Sequence, residues 1–151
     1  MIRIIAIGKK HESWVAEGIE RYQKRLQKPF VVEWVLLPHS SKNGLEARQN
    51  ESQSILSRLD PHEFVIVLDE TGKLYDSPAL SRLFTSTFEK HGNLTMIIGG
   101  AYGVNEELQS RAQITWSLSP LVFPHQLVRL LLTEQIYRAQ EIAAGHPYHH
   151  E

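Results

Sequence analysis

The sequence contains no cysteine, which excludes disulfide bonds, thiolate metal ligands and cysteine nucleophiles. It also lacks any run of about 18 apolar residues, the length that a membrane-spanning helix requires. The apolar segment at residues 1–8 is too short for such a helix and lacks the flanks of a signal peptide. We therefore expect a cytoplasmic protein that does not span a membrane.

Excess charge of either sign is likewise absent, because the formal net charge of the 151 residues is −1. A general polyanion-binding surface is not indicated. The basic residues are nevertheless unevenly placed: residues 1–60 hold ten Lys or Arg against seven Asp or Glu. Their clusters are either a solvated helix face or a local footprint for RNA. The clustered residues are Lys9, Lys10, Arg21, Lys24, Arg25 and Lys28.

Short apolar runs alternate with amphipathic patterns along the whole chain, which predicts an α/β fold with a single domain over residues 1–151. The predicted strands are 2–7, 30–37, 63–68, 93–98 and 114–118. The predicted helices are 12–27, 45–59, 78–90, 106–111 and 124–144. Strands that are apolar on both faces favour a parallel sheet covered on both sides. Ligands bind such sheets at the carboxyl edge of the strands.

One connection at that edge, which we name the apolar loop (residues 117–124), has an unusual composition. It places Leu121, Val122 and Phe123 between Pro120 and Pro124, although loops are normally polar. We expect an apolar loop to be buried, and buried backbone groups need partners. Those partners are supplied either by the protein or by a ligand.

A second connection, the glycine turn (residues 99–103), follows an apolar strand and ends at the same edge. Its sequence Gly-Gly-Ala-Tyr-Gly matches neither the dinucleotide-binding pattern nor the P-loop. Alone it fits a tight turn without a ligand. Together with the apolar loop it favours a pocket for a small ligand such as an adenine. Lysines at the rim favour an anionic substrate: Lys9, Lys10, Lys42 and Lys73.

The last helix is apolar nearly all round in its first half, which indicates burial on several sides. The surface that buries the remaining side of this helix belongs either to another copy of the chain, in a symmetric dimer, or to the core of a monomer. Arg129 lies inside this apolar stretch and is expected to need an anionic partner, either a carboxylate or a phosphate. Glu134 and Arg138 have the i, i+4 spacing of a helix-stabilising ion pair.

The C-terminal tail contains His146, His149 and His150 close to Glu151, but without a zinc-binding spacing. A frayed terminus is one interpretation, and a metal site is disfavoured. The third is a tail that folds back and presents Tyr148 and His149 to a nucleobase, on which such rings stack.

Several short segments together resemble the RlmH family of SPOUT-superfamily RNA methyltransferases. The resemblance covers the whole chain. The segments are Val-Leu-Asp at 67–69, Gly-Lys at 72–73, Ile-Gly-Gly at 98–100, Gly103, Leu-Ser at 118–119, Phe-Pro-His-Gln-Leu-Val-Arg at 123–129, Glu-Gln-Ile-Tyr-Arg-Ala at 134–139 and His-Pro-Tyr-His at 146–149.

The resemblance implies a parallel-sheet SPOUT fold with a C-terminal trefoil knot, a homodimer, and S-adenosylmethionine as methyl donor without a metal. It also implies methylation of N3 of a pseudouridine (pseudouridine-1915) in 23S rRNA within the assembled ribosome. The donor contacts implied are Leu68, Gly99, Leu118, Ser119, Pro120, Leu121, Val122 and Phe123.

The resemblance places the substrate side at the long helix and the tail. His149 is the favoured proton acceptor, with His125 and His150 as alternatives whose unperturbed pKa suits a base. Tyr148 would contact the base, and Arg129 and Arg138 would bind phosphate or order the tail. The RNA-binding residues expected are Lys9, Lys10, Arg21, Arg25 and Arg138. His150 departs from the family pattern, which commonly has Arg or Lys there, so a fixed charge becomes titratable.

Two other functions remain open from the residues. The first is a non-catalytic, ribosome-associated module that binds a nucleotide or S-adenosylmethionine in the same pocket. The second is a SPOUT methyltransferase that acts on tRNA.

Overall fold

The computed structural model describes residues 1–148, which form one five-stranded sheet with helices on both faces. The strands are β1 (Ile2–Ile7), β2 (Val32–Leu37), β3 (Val65–Leu74), β4 (Leu94–Ile98) and β5 (Ile114–Ser117). Their order across the sheet is β2-β1-β4-β3-β5, and every paired neighbour is parallel. The predicted parallel α/β fold is confirmed. The trefoil knot stays a prediction.

Four helices connect the strands and a fifth follows β5: α1 (Ser13–Gln23), α2 (Gly44–Leu56), α3 (Ser77–His91), α4 (Glu106–Arg111) and α5 (His125–Ala143). Alternate strand residues point to opposite faces, so each strand contributes to two cores. Ile4 and Met96 belong to the core under α3 and α5, whereas Ile5 and Ile97 belong to the core under α2 and α4. This double coverage explains why the strands lack polar alternation.

The third strand is longer than predicted, because it resumes after an irregular excursion. Leu68 pairs with Trp116, and Lys73 pairs with the same residue after the chain has bulged out between them. Gly72 makes the return possible: a Cβ there would lie 2.6 Å from the carbonyl carbon of Thr115. Only a glycine permits that approach to the β5 backbone.

The first helix is shorter than predicted and ends at Gln23. Beyond it the backbone changes to i→i−3 hydrogen bonds, from Arg25 N to Tyr22 O and from Leu26 N to Gln23 O. The amide of Gln27 then donates to the side chain of Gln140 on α5, at 2.7 Å. A contact with a distant helix therefore replaces the last predicted turn.

The long helix α5 lies between α1 and α3 on one face of the sheet. Gly18 allows α1 to approach closely, because a Cβ there would lie 2.7 Å from Leu130 Cδ1. On the other side, Ser81 Oγ donates to the carbonyl of Ala139 at 2.8 Å. The core of the monomer thus covers the inner face of α5, whereas Leu127, Leu131 and Ile142 are half-buried. Within residues 1–148 we find no helix whose length and apolar character would suit a membrane span.

Candidate functional site

A cleft of about 680 Å³ opens at the carboxyl edge of the sheet, beyond β3, β4 and β5. Both unusual connections form its walls, as the position of the strand ends predicted. Every residue predicted to contact the donor lines the cleft, apart from Pro120: Leu68, Gly99, Leu118, Ser119, Leu121, Val122 and Phe123. Its size falls within the range of sites that hold drug-sized ligands, about 300–1,000 Å³.

The glycine turn is a narrow loop closed by its own backbone. Gly103 N donates to Gly100 O at 3.0 Å, and the two residues form an isolated antiparallel bridge. Gly103 has a φ of +76°, which side-chain-bearing residues rarely adopt. The turn therefore presents backbone to the cleft at its three glycines, whereas Tyr102 contributes a ring to the lining.

The apolar loop differs from its prediction, because its tip is exposed rather than buried. Leu121 is 69% exposed and Val122 is 76% exposed. Local hydrogen bonds satisfy part of the backbone: Leu121 N donates to Ser119 Oγ at 3.0 Å, and Ser117 Oγ donates to Ser119 O at 2.9 Å. With its backbone partly held by serine hydroxyls, the loop can leave two apolar side chains on the rim of the cleft.

Among residues 1–148, His125 is the histidine that lines the cleft, at the first position of α5. Burial lowers its pKa below the ordinary value of 6.5. A hydrogen bond to the backbone of Gly99 opposes that shift, Arg129 and His39 lower the pKa further, and Glu51 raises it. His125 is therefore neutral at physiological pH, the state that a proton acceptor requires.

Arg129 is completely buried and does not line the cleft. Its partners are backbone carbonyls at and just after the end of β1: Nη2 donates to Ile7 O at 3.0 Å and Gly8 O at 3.2 Å, and Nη1 donates to Lys10 O at 3.1 Å. Nη1 also lies 3.2 Å from His11 Nδ1. The expected carboxylate or phosphate partner is thus replaced by carbonyl dipoles. Burial lowers the pKa of Arg129, but a guanidinium stays charged.

Tyr148 folds back onto the far half of α5. Its ring lies 4.9 Å from the ring of Tyr137 and 4.8 Å from the guanidinium of Arg138, and its hydroxyl donates to Glu134 at 3.4 Å. Twelve residues of helix, about 18 Å, separate Tyr137 from His125. Tyr148 therefore lies away from the cleft of its own chain. His149 and His150 lie outside the described residues.

The predicted RNA-binding residues divide into two groups. Lys9 and Lys10 are exposed and follow the end of β1, at the same edge of the sheet as the cleft. Arg21 and Arg25 are exposed at the other end of α1, close to the tail. Arg138 pairs with Glu134 at 2.6 Å, as the i, i+4 spacing predicted. Within residues 1–148 no group of three or more His, Asp or Glu side chains is arranged to hold a metal ion.

Sequence reasoning missed three residues around His125 and Arg129. They are His11, His39 and Glu51, from the ends of β1 and β2 and from α2. A signal for Glu51 was present: Ala47, Glu51 and Ile55 recur every four residues, and all three are buried on one face of α2.

The cleft at the carboxyl edge, together with the sequence, identifies the class of protein. The family model described as "Predicted SPOUT methyltransferase" matches residues 1–149. The chain belongs to the SPOUT methyltransferase family and is an enzyme of that class.

Within this class, the chain belongs to the group of proteins named ribosomal RNA large subunit methyltransferase H. The protein of that name from Alkalilimnicola ehrlichii is 39% identical over 152 residues, covering 98% of this chain and 97% of the relative. Those from Pseudomonas aeruginosa and Hahella chejuensis are 38% and 37% identical, with coverage of 98% and 99% of both chains. The chain thus spans nearly the whole length of these relatives.

A solved structure of the SpoU methyltransferase AviRb from Streptomyces viridochromogenes, in complex with the cofactor AdoMet, aligns with 95% of this chain. The alignment has 10% sequence identity and a TM-score of 0.47, and it covers 58% of that protein. The chain therefore spans little more than half of that structure.

Proposed function

We propose that the protein transfers a methyl group from S-adenosylmethionine to N3 of a pseudouridine in 23S rRNA, within the assembled ribosome in the cytoplasm. The observation that carries the proposal is the cleft. Its walls are the glycine turn after β4 and the apolar loop after β5, and these loops contain most of the predicted donor contacts. The names and full-length similarity of the relatives support the rRNA substrate. The proposed target is the pseudouridine that the family resemblance implies.

The residues of the cleft fit an adenine-containing donor. Leu68, Leu118 and Phe123 supply apolar walls, and the glycines of the glycine turn leave backbone groups open to the cleft. S-adenosylmethionine brings an already activated methyl group, so the chain has only to orient the substrate nitrogen in line with that methyl. The charge of the reaction is balanced when the N3 proton passes to an acceptor of the protein.

His125 and His149 are the candidate acceptors. His125 is placed at the cleft and is kept neutral by burial. An imidazole with a pKa below 6.5 accepts a proton during the transfer and releases it to water afterwards. His149 belongs to the tail, whose neighbour Tyr148 lies on the far half of α5.

We propose that the protein acts as a homodimer. The exposed Leu121 and Val122 on the cleft rim and the half-buried outer face of α5 are apolar surfaces that a second copy would cover. The position of Tyr148 on the far half of α5 also favours a dimer, in which the tail of one protomer would reach the cleft of its partner. Tyr148, Arg138, Arg21 and Arg25 would then contact RNA beside the partner's donor.

The decisive experiment is mass spectrometry of RNA from a strain that lacks this protein, before and after incubation of its ribosomes with the purified protein and S-adenosylmethionine. We expect one methyl group at N3 of the pseudouridine in 23S rRNA. Methylation of tRNA instead of 23S rRNA would show that the enzyme acts on tRNA. The absence of any incorporation would overturn the proposed reaction.

A further inference from the structure

The carboxylate of Glu51 lies buried between the glycine turn, which lines the cleft, and the loop after β2. The side chain is only 5% exposed. Its Oε2 accepts a hydrogen bond from Ser40 N at 2.9 Å and lies 3.9 Å from His39 Nδ1, in the loop after β2. Glu51 therefore holds the backbone of that loop from inside the protein.

The other carboxylate oxygen, Oε1, faces the glycine turn. A Cβ placed on Gly100 would overlap Oε1 and would lie 3.2 Å from the Glu51 carboxyl carbon. Oε1 is fully buried and has no hydrogen-bond partner within residues 1–148. A buried acceptor without a partner is rare and calls for an explanation. Here the oxygen packs against Gly100 of the turn that lines the cleft.

Glu51 is also part of the charge environment of His125. The groups that act on this imidazole are the Arg129 guanidinium on α5, His39 in the loop after β2, Glu51 on α2 and the backbone of Gly99. Among these described groups Glu51 supplies the negative charge, opposite the buried guanidinium. One side chain thus contacts the donor turn and balances the charge near the candidate acceptor.

We propose that Glu51 is a positioning residue for the methyl transfer. It holds the glycine turn and the loop after β2 in fixed positions, and so keeps the donor-binding side of the cleft correctly placed relative to His125. The inference rests on the proposed function and adds to it a residue that touches neither donor nor RNA. It also assigns a role to His39, which lowers the pKa of His125. The side chain of His39 is mostly exposed and lies beside Glu51 at the sheet edge.

The first test compares Glu51→Gln with Glu46→Gln, which removes an exposed carboxylate from the same helix. Calorimetry with S-adenosylmethionine should show binding about tenfold weaker for Glu51→Gln, because the turn loses the carboxylate that packs against Gly100. In methyl transfer to ribosomes, kcat should fall while the KM for ribosomes stays unchanged. Glu46→Gln should match the original protein in every measurement.

The second test follows the pKa of His125 by NMR titration, a measurement that needs no RNA. Glu51→Gln removes a negative charge and should lower this pKa further, whereas His39→Gln removes a group that lowers it and should raise it. A merely structural loss would not shift the pKa in opposite directions in the two variants. His39 is mostly exposed, so its replacement keeps the test available if Glu51→Gln folds poorly.

The outcomes separate this inference from the proposed function. If the original protein binds S-adenosylmethionine but does not methylate ribosomes, the proposed function fails, and calorimetry and NMR still judge Glu51. If the original protein methylates ribosomes and Glu51→Gln retains its donor affinity and its His125 titration, the positioning role is overturned. Unchanged titration of His125 in the His39→Gln variant would also contradict it.

Discussion

Arg129 donates a hydrogen bond from Nη2 to the carbonyl oxygen of Ile7, 3.0 Å away and 122 residues earlier in the chain. The same guanidinium binds the carbonyls of Gly8 and Lys10. It therefore fastens the start of α5, which carries His125, to the end of β1. Gly8 leaves room for it, because a Cβ there would lie 2.7 Å from Nη2.

Replacing Arg129 with Met should lower the free energy of unfolding by about 3 kcal/mol, because several buried carbonyls lose their donor. Urea denaturation measures the change. Arg129→Lys should recover only part of the loss, since one ammonium cannot reach three carbonyls on different sides. Equal stability of the Met variant and the original protein would show that these hydrogen bonds add nothing net.

His125→Gln should retain donor binding and lose about 10²-fold or more in methyl transfer, the usual contribution of general base catalysis. The acidic limb of the pH–rate profile should lie below pH 6.5, because burial lowers the pKa of the acceptor. Calorimetry and methylation of ribosomes separate the two effects. Full activity of the variant would transfer the role to His149.

The stability of the protein should decrease as the pH falls below about 6.5. Burial lowers the pKa values of both His11 and His125, and Arg129 lowers them as well. Both imidazoles thus bind protons more readily in the unfolded chain, so protonation favours unfolding. Urea denaturation across this range should show a flatter pH dependence for His11→Asn/His125→Asn, while the exposed His62→Asn keeps the original slope. An unchanged slope in the double variant would contradict the assignment.

Glu63 does not contribute to that pH dependence, because its pKa lies below the range of the measurement. Hydrogen bonds and Arg3 keep the pKa of Glu63 below its ordinary value of 4.5, despite opposing desolvation. Its contribution to stability is present above about pH 4.5 and is lost as the pH falls through its lowered pKa. Above pH 5 the contribution of Glu63 is therefore constant.

Leu121→Asp should convert the proposed homodimer to a monomer without unfolding it, because Leu121 is largely exposed on the cleft rim. Light scattering coupled to size-exclusion chromatography measures the mass. Leu45→Asp is the matched control, since Leu45 is 75% exposed at the start of α2. A monomeric original protein, or a Leu121→Asp variant that remains dimeric, would argue against a dimer through this rim.

Truncation after Gly145 should abolish methylation of ribosomes and leave binding of S-adenosylmethionine intact, because the residues removed are proposed to contact RNA rather than the donor. Tyr148→Ala should also weaken methyl transfer without affecting donor binding. Its ring is proposed to contact RNA, and it lies against Tyr137 and Arg138 rather than in the cleft of its own chain. Ribosome methylation and calorimetry check both variants. Full activity of the truncated chain would eliminate every role proposed for the tail.

Regular structure was largely predictable from the residues, because strands and helices depend on local periodicity. The apolar run at 93–98 became β4 (Leu94–Ile98), and the prediction for α4 (Glu106–Arg111) was confirmed to the residue. The extension of β3 was not predictable. It depends on the contact between Gly72 and the backbone of β5, more than forty residues later.

The cleft was predictable for a similar reason, since parallel strands bring their carboxyl ends to one edge and thereby bring Gly99 and Leu118 together. The exposure of Leu121 and Val122 was not, because composition does not reveal that a serine hydroxyl satisfies the loop backbone. Glu51 had a helical spacing with Ala47 and Ile55, but that spacing says nothing of what the carboxylate meets.

The sequence by itself determined the class of fold, the edge at which the site forms and the family to which the chain belongs. Each of these follows from patterns within short, contiguous segments of the sequence. Only the tertiary structure decided what the buried charges contact. Arg129 binds carbonyls rather than an anion, and Glu51 meets Gly100, because those partners come from distant segments that packing alone brings within hydrogen-bond range.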